Sequence, residues 1–69
     1  MAPVEYRYEL RRGDEVVVTG HLTRETALEV GEQVSIGGYL GVVRAIEPTL
    51  GGRELHLVVR VLGDARSGA

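Results

Sequence analysis

Leu28-Glu29-Val30-Gly31-Glu32-Gln33-Val34-Ser35-Ile36-Gly37-Gly38-Tyr39-Leu40-Gly41-Val42-Val43 is the stretch whose reading decides the fold. Leu28 and Val30 carry the chain toward a core, and Gly31 relaxes a bend. Val34 and Ile36 then alternate with Gln33 and Ser35, the period of a strand with one buried face. Gly37-Gly38 supplies the two positive-φ residues that a type I′ hairpin turn needs. Tyr39 to Glu47 reads as the returning strand. Bend, short strand, tight reversal and second strand together make the rhythm of a very small β-barrel. No residue set in this stretch names a substrate, a cofactor or a reaction.

Working outward, Val4, Tyr6, Tyr8 and Leu10 alternate with Glu5, Arg7 and Glu9 in a first strand. Arg11 to Glu15 has turn chemistry, and Val16 to Leu22 is the strand that returns from it. A two-residue Gly13-Asp14 turn sets Leu10 opposite Val17 and Tyr8 opposite Thr19. That pairing mixes apolar with polar residues on one face. A three- or five-residue loop keeps the faces separate. It sets Leu10 by Val16, Tyr8 by Val18, Tyr6 by Gly20 and Val4 by Leu22, and this register is the expected one. Residues 23–29 form a polar connection too short in apolar stripe for a helix. Pro48 to Arg53 is a loop, and Glu54 to Leu62 is the fifth strand, with Leu55, Leu57, Val59 and Val61 facing the core. The reading is all-β, with five strands: one domain over residues 1–63 and a flexible C-terminal tail over 64–69.

The 69 residues leave room for a single domain. A chain this short buries only about 60% of its unfolded surface, so a staple is often needed. With no cysteine and two histidines, neither a disulfide nor a thiolate metal site is available. The 43% apolar content supports a packed globule. The formal net charge is −2, and all eight basic residues are arginine. That balance argues against broad phosphate-backbone binding but leaves room for a local arginine patch. No apolar run reaches the ~20 residues of a membrane span, and the N-terminus lacks a signal-peptide layout. A soluble, cytoplasmic protein with no membrane contact is expected.

Val30-Gly31-Glu32-Gln33-Val34-Ser35-Ile36-Gly37-Gly38, followed by Gly41-Val42-Val43, resembles the SH3-like small barrels, nearest to the KOW and Tudor-type modules. Their Gly-x-x-Gly-x-Val hairpin is matched by Gly38, Gly41 and Val43. The resemblance covers residues 28–61 and, loosely, the first hairpin. It implies a five-stranded SH3-like barrel that docks peptides, nucleic acids or neighbouring domains. An OB-like barrel is the structural alternative, but Gly37-Gly38 leaves no space for the helix that such domains place between the third and fourth strands. Tyr6, Tyr8 and Tyr39 are the only aromatic residues, which is too few for a methyl-lysine cage.

Candidate chemistry is sparse. His21 and His56 have no convergent nucleophile, since the serines are Ser35 and Ser67, the latter in the tail. No histidine–carboxylate spacing matches a metal site. The chain is therefore expected to be neither an enzyme nor a metal or cofactor binder. Arg12-Gly13-Asp14 reads as a hairpin tip wanted for its backbone habits. Gly37-Gly38 and Gly51-Gly52 lack the following helix or lysine of a phosphate loop. Arg7, Arg44 and Arg60 point outward among glutamates, whereas Arg24 and Arg53 lie in loops, where recognition residues concentrate. Tyr39, Arg24, Arg44 and Arg53 are the expected partner-binding residues.

Val17, Val42, Val58 and Leu62 fall opposite the core face and form the expected apolar interface. Strand edges at Glu32 to Ile36 or at Leu55 to Leu62 are further places for a second chain to pair. The function expected is a non-enzymatic protein-interaction module whose partner is another protein or a second copy, as a homodimer. A nucleic-acid-binding barrel that uses a local arginine cluster is the alternative.

Overall fold

The computed structural model describes residues 3–64. Five strands account for most of them: β1 (Val4–Arg12), β2 (Glu15–Arg24), β3 (Gln33–Ile36), β4 (Tyr39–Pro48) and β5 (Leu55–Asp64). No helix occurs among the described residues. The strands form one sheet in the order β2-β1-β5-β4-β3, strongly curled into a half-barrel. Neighbouring pairs are antiparallel except β1 and β5, which run parallel. Because β2 and β3 do not pair, the curl stays open between them.

The two hairpin turns follow their glycines. Gly37 and Gly38 have φ of 59° and 85°, the type I′ signature, and Ile36 pairs with Tyr39 across them. This two-residue joint leaves no place for an OB-like helix. The first hairpin is also closed by two residues, since Arg12 pairs with Glu15. Gly13 has φ of 62° and no described non-glycine residue has positive φ, a pattern that suits type II′.

The expected odd-length loop is therefore corrected, although its parity survives. The ladder passes from Arg11↔Val16 to Leu10↔Val18, leaving Val17 as an extra bulged residue. Leu10 lies opposite Val18, Tyr8 opposite Gly20, Tyr6 opposite Leu22 and Val4 opposite Arg24. Turn chemistry and face separation make conflicting demands on this hairpin, and one inserted residue meets both. It is Tyr8, not Tyr6, that packs over Gly20.

The core is a single cluster. Tyr6 and Leu10 come from β1, Val34 and Ile36 from β3, Val43 from β4, and Leu57, Val59 and Val61 from β5. Leu28 joins them from the 25–32 connection. Strand β2 contributes no fully buried side chain; its Val18 and Leu22 only pack against the cluster from outside. The open flank of the half-barrel is thus the β2 side. β5 runs on through Asp64, past the expected boundary at residue 63. The tail expected beyond it falls on residues 65–69, outside the described ones.

Candidate functional site

Residues paired across a sheet share a face, so the register defines what the outer surface carries. One row across four strands reads His21, Arg7, His56 and Glu47. The next outward row reads Thr19, Glu9, Val58 and Ala45. A third reads Val16, Arg11, Arg60, Val42 and Gln33. The third row sets two arginines directly opposite each other in the ladder, Arg11 on β1 and Arg60 on β5. Like charges so placed repel.

A third arginine joins them by way of a bulge. The β4–β5 ladder steps from Val43↔Val59 to Ala45↔Val58, which leaves Arg44 without a partner residue. Bulges re-aim side chains, and this one puts Arg44 beside the Arg11–Arg60 row. Arg11, Arg44 and Arg60 line a shallow depression of about 560 Å3 together with Val58, Ala45 and His56. Gly13 and Asp14 reach it from the β1–β2 turn, and Glu47 borders it. Arg11 Nε is 2.5 Å from Glu9 Oε2. Neither Arg44 nor Arg60 has an ion-pair partner among the described residues.

A second depression of about 500 Å3 shares Glu47 and His56 with the first and is otherwise lined by Arg7, Tyr8, Glu9, Thr19 and residues 48–50. The Thr49 hydroxyl donates to the Glu54 carbonyl at 2.8 Å, so it is already engaged. His21 Nδ1 lies 2.5 Å from Glu54 Oε2 on the exposed side of β2. Among the described residues no group of three or more His, Asp or Glu side chains is placed to hold a metal ion. Among the described residues no helix is long and apolar enough to cross a membrane.

The expected partner-binding residues are dispersed. Arg44 lines the first depression, but Arg24 is half-buried at the end of β2, opposite Val4. Arg53 is exposed in the β4–β5 loop, and Tyr39 packs on the core beside Ile36. The expected apolar interface stays out of the core: Val17, Val42 and Val58 are half-buried and Leu62 is 55% exposed. Leu62, like Val17, is an extra residue at a ladder shift, between the Gly41↔Val61 and Leu40↔Gly63 pairs. The edge expected at Leu55 to Leu62 is corrected, because β5 lies in the sheet interior between β1 and β4. The true edges are β3, as expected, and β2. Arg11 and Arg60 were the residues whose convergence the sequence did not show. Their meeting depends on the parallel β1–β5 pairing, which joins segments about fifty residues apart and leaves no local signal.

No protein-family model, curated protein or solved structure matches this chain, so what the surface does rests on its own geometry.

Proposed function

We propose that this chain is a non-enzymatic protein-interaction module of the SH3-like kind, working in the cytoplasm and docking its partner on the outer face of β1, β5 and β4. The convergence of Arg11, Arg44 and Arg60 on one depression beside Val58 carries the reading. Arginine forks bind carboxylates in two-pronged fashion, and the neighbouring valine and alanine give a contact some apolar area. Val42 and Leu62 extend that area along the same two strands. An acidic, partly apolar protein segment has the complementary chemistry. The missing cysteines fit a reducing compartment.

The arginine trio also favours a second reading, in which the depression takes nucleic-acid phosphates. Tyr6 is buried and Tyr8 and Tyr39 are half-buried, leaving no fully exposed ring for bases to stack on, which counts against it. The protein reading is therefore preferred.

Affinity capture from lysate of the source cells, with and without nuclease, separates the two. Wild type is compared with the Arg44→Glu/Arg60→Glu variant. A protein partner that survives nuclease and is lost with the variant supports docking on this face. Capture that disappears with nuclease transfers the depression to nucleic acid.

A further inference from the structure

The chain itself carries a segment with the chemistry that the depression asks for. Val30 is 65% exposed and stands between Glu29 and Glu32, both exposed, in the turn that leads into β3. A single exposed apolar side chain is ordinary on a protein surface. This one is held out by a well-tied backbone. The Glu32 amide donates to the Glu29 carbonyl at 3.0 Å, and the Glu29 amide donates to Glu32 Oε1 at 3.1 Å. The turn is also fastened to β4, with the Gly31 amide donating to the Val43 carbonyl at 2.8 Å and the Val43 amide to the Glu32 carbonyl at 2.9 Å. Leu28, just before it, is buried in the core. The turn is thus a pre-formed knob, with little ordering cost on binding.

Its pattern is carboxylate, valine, glycine, carboxylate. The depression offers guanidinium groups from Arg11, Arg44 and Arg60 beside Val58 and Ala45, and these outnumber the Asp14 and Glu47 carboxylates at its border. The turn does not line the depression of its own chain, although it is fastened to β4 one residue from Arg44. From this complementarity we infer that the depression takes the Glu29–Glu32 turn of a second copy. The inference rests on the outer face being a docking surface and names its occupant. One turn in one shallow depression buries far less than a standard interface, so the contact is weak and its attraction is screened by salt. It suits a reversible, concentration-dependent assembly.

Sedimentation equilibrium of the full chain tests this across protein concentrations at low and high salt. Wild type is expected to gain mass with concentration at low salt and to return to the monomer at high salt. Arg44→Glu/Arg60→Glu damages the depression, and Glu29→Arg damages the turn while leaving the Glu32 bond in place. Each variant alone is expected to stay monomeric. An equimolar mixture of the two should associate again, because one variant keeps an intact turn and the other an intact depression. Circular dichroism establishes that both variants are folded, and the exposed Glu29→Arg change serves alone if the double variant is not. A wild type that stays monomeric at every concentration overturns the inference, as does association that survives in either variant or at high salt. If wild type is monomeric and the double variant still loses a nuclease-resistant partner, the self-docking fails and the docking face stands. If oligonucleotide binds wild type and not the double variant while the mass stays monomeric, both readings fall.

Discussion

The Tyr6 hydroxyl accepts the backbone amide of Leu28 at 2.8 Å, a buried hydrogen bond spanning 22 residues of sequence. Tyr6 is wholly buried on β1, and Leu28 lies in the connection between the two strands that do not pair. The bond ties that connection to the middle of the sheet, so a loop residue plugs the half-barrel where a strand pair would otherwise close it. It also satisfies a donor that has no ladder to join.

Tyr6→Phe keeps the ring and removes the acceptor. The Leu28 amide is then buried without a partner, which costs about 1–3 kcal/mol. Urea denaturation should show a lower midpoint with an unchanged slope. An unchanged midpoint would mean that the amide finds water or another acceptor.

Two interior glycines differ in what an added methyl group meets. At Gly41 a Cβ would lie 2.5 Å from Val59 Cγ1 and 2.7 Å from the Arg60 carbonyl oxygen, which is backbone and cannot move aside. At Gly20 it would meet the phenol end of Tyr8, 2.5 Å from Oη. Gly41→Ala is expected to cost about 2–3 kcal/mol, whereas Gly20→Ala costs about 1 kcal/mol or less, because the Tyr8 ring tip can swing toward solvent. Thermal melts of the two variants rank them directly, and the reverse order would refute the argument.

Deleting the bulged Val17 should leave every other β1–β2 pair in place, since Val16 and Val18 already face opposite sides. The expected loss is on the order of 1 kcal/mol, from reduced local twist. Deleting Thr19 instead gives the chain of the Val17 deletion with valine in place of threonine opposite Glu9, so the strand absorbs it by giving up the same bulge, and Leu22 and His21 keep their faces. The two deletions are expected to unfold within about 0.5 kcal/mol of each other. Circular dichroism and denaturation check this, and a much larger loss for the Thr19 deletion would mean that the bulge cannot relax.

The His21–Glu54 contact is short but wet, with the side chains 67% and 36% exposed. Exposed pairs contribute little after screening and side-chain ordering. Glu54→Gln is expected to move stability by less than ~0.5 kcal/mol. A larger loss would give this pair a structural role in holding the β4–β5 loop to β2.

Much of the fold was legible along the chain. Alternation in Val4 to Leu10 and in Gln33 to Ile36 marks strands because a pleated backbone presents every second side chain to one face. Gly37-Gly38 marks its turn because few other residues tolerate two successive positive φ values. The first hairpin was only half legible. Parity gave the correct faces, but the same faces arise from a longer loop or from a two-residue turn with a bulge. Only packing of Tyr8 over Gly20, and of Leu10 beside Val18, selects between them.

The candidate site was much less legible, and Arg44 shows why. As a surface arginine on β4 it was a reasonable recognition residue, but its company was misjudged. Arg24 and Arg53, read as loop residues, end up elsewhere, whereas Arg11 and Arg60 meet it from other strands. The sequence by itself determined the strands, the tight turns and the apolar set that must be buried, because these depend on φ, ψ and side-chain alternation within a few residues. Tertiary structure alone decided the parallel β1–β5 pairing, the bulges at Val17, Arg44 and Leu62, and thereby the arginine depression. Those features are set by how distant segments pack around one small core, where a shift of a single residue carries every side chain to the other face.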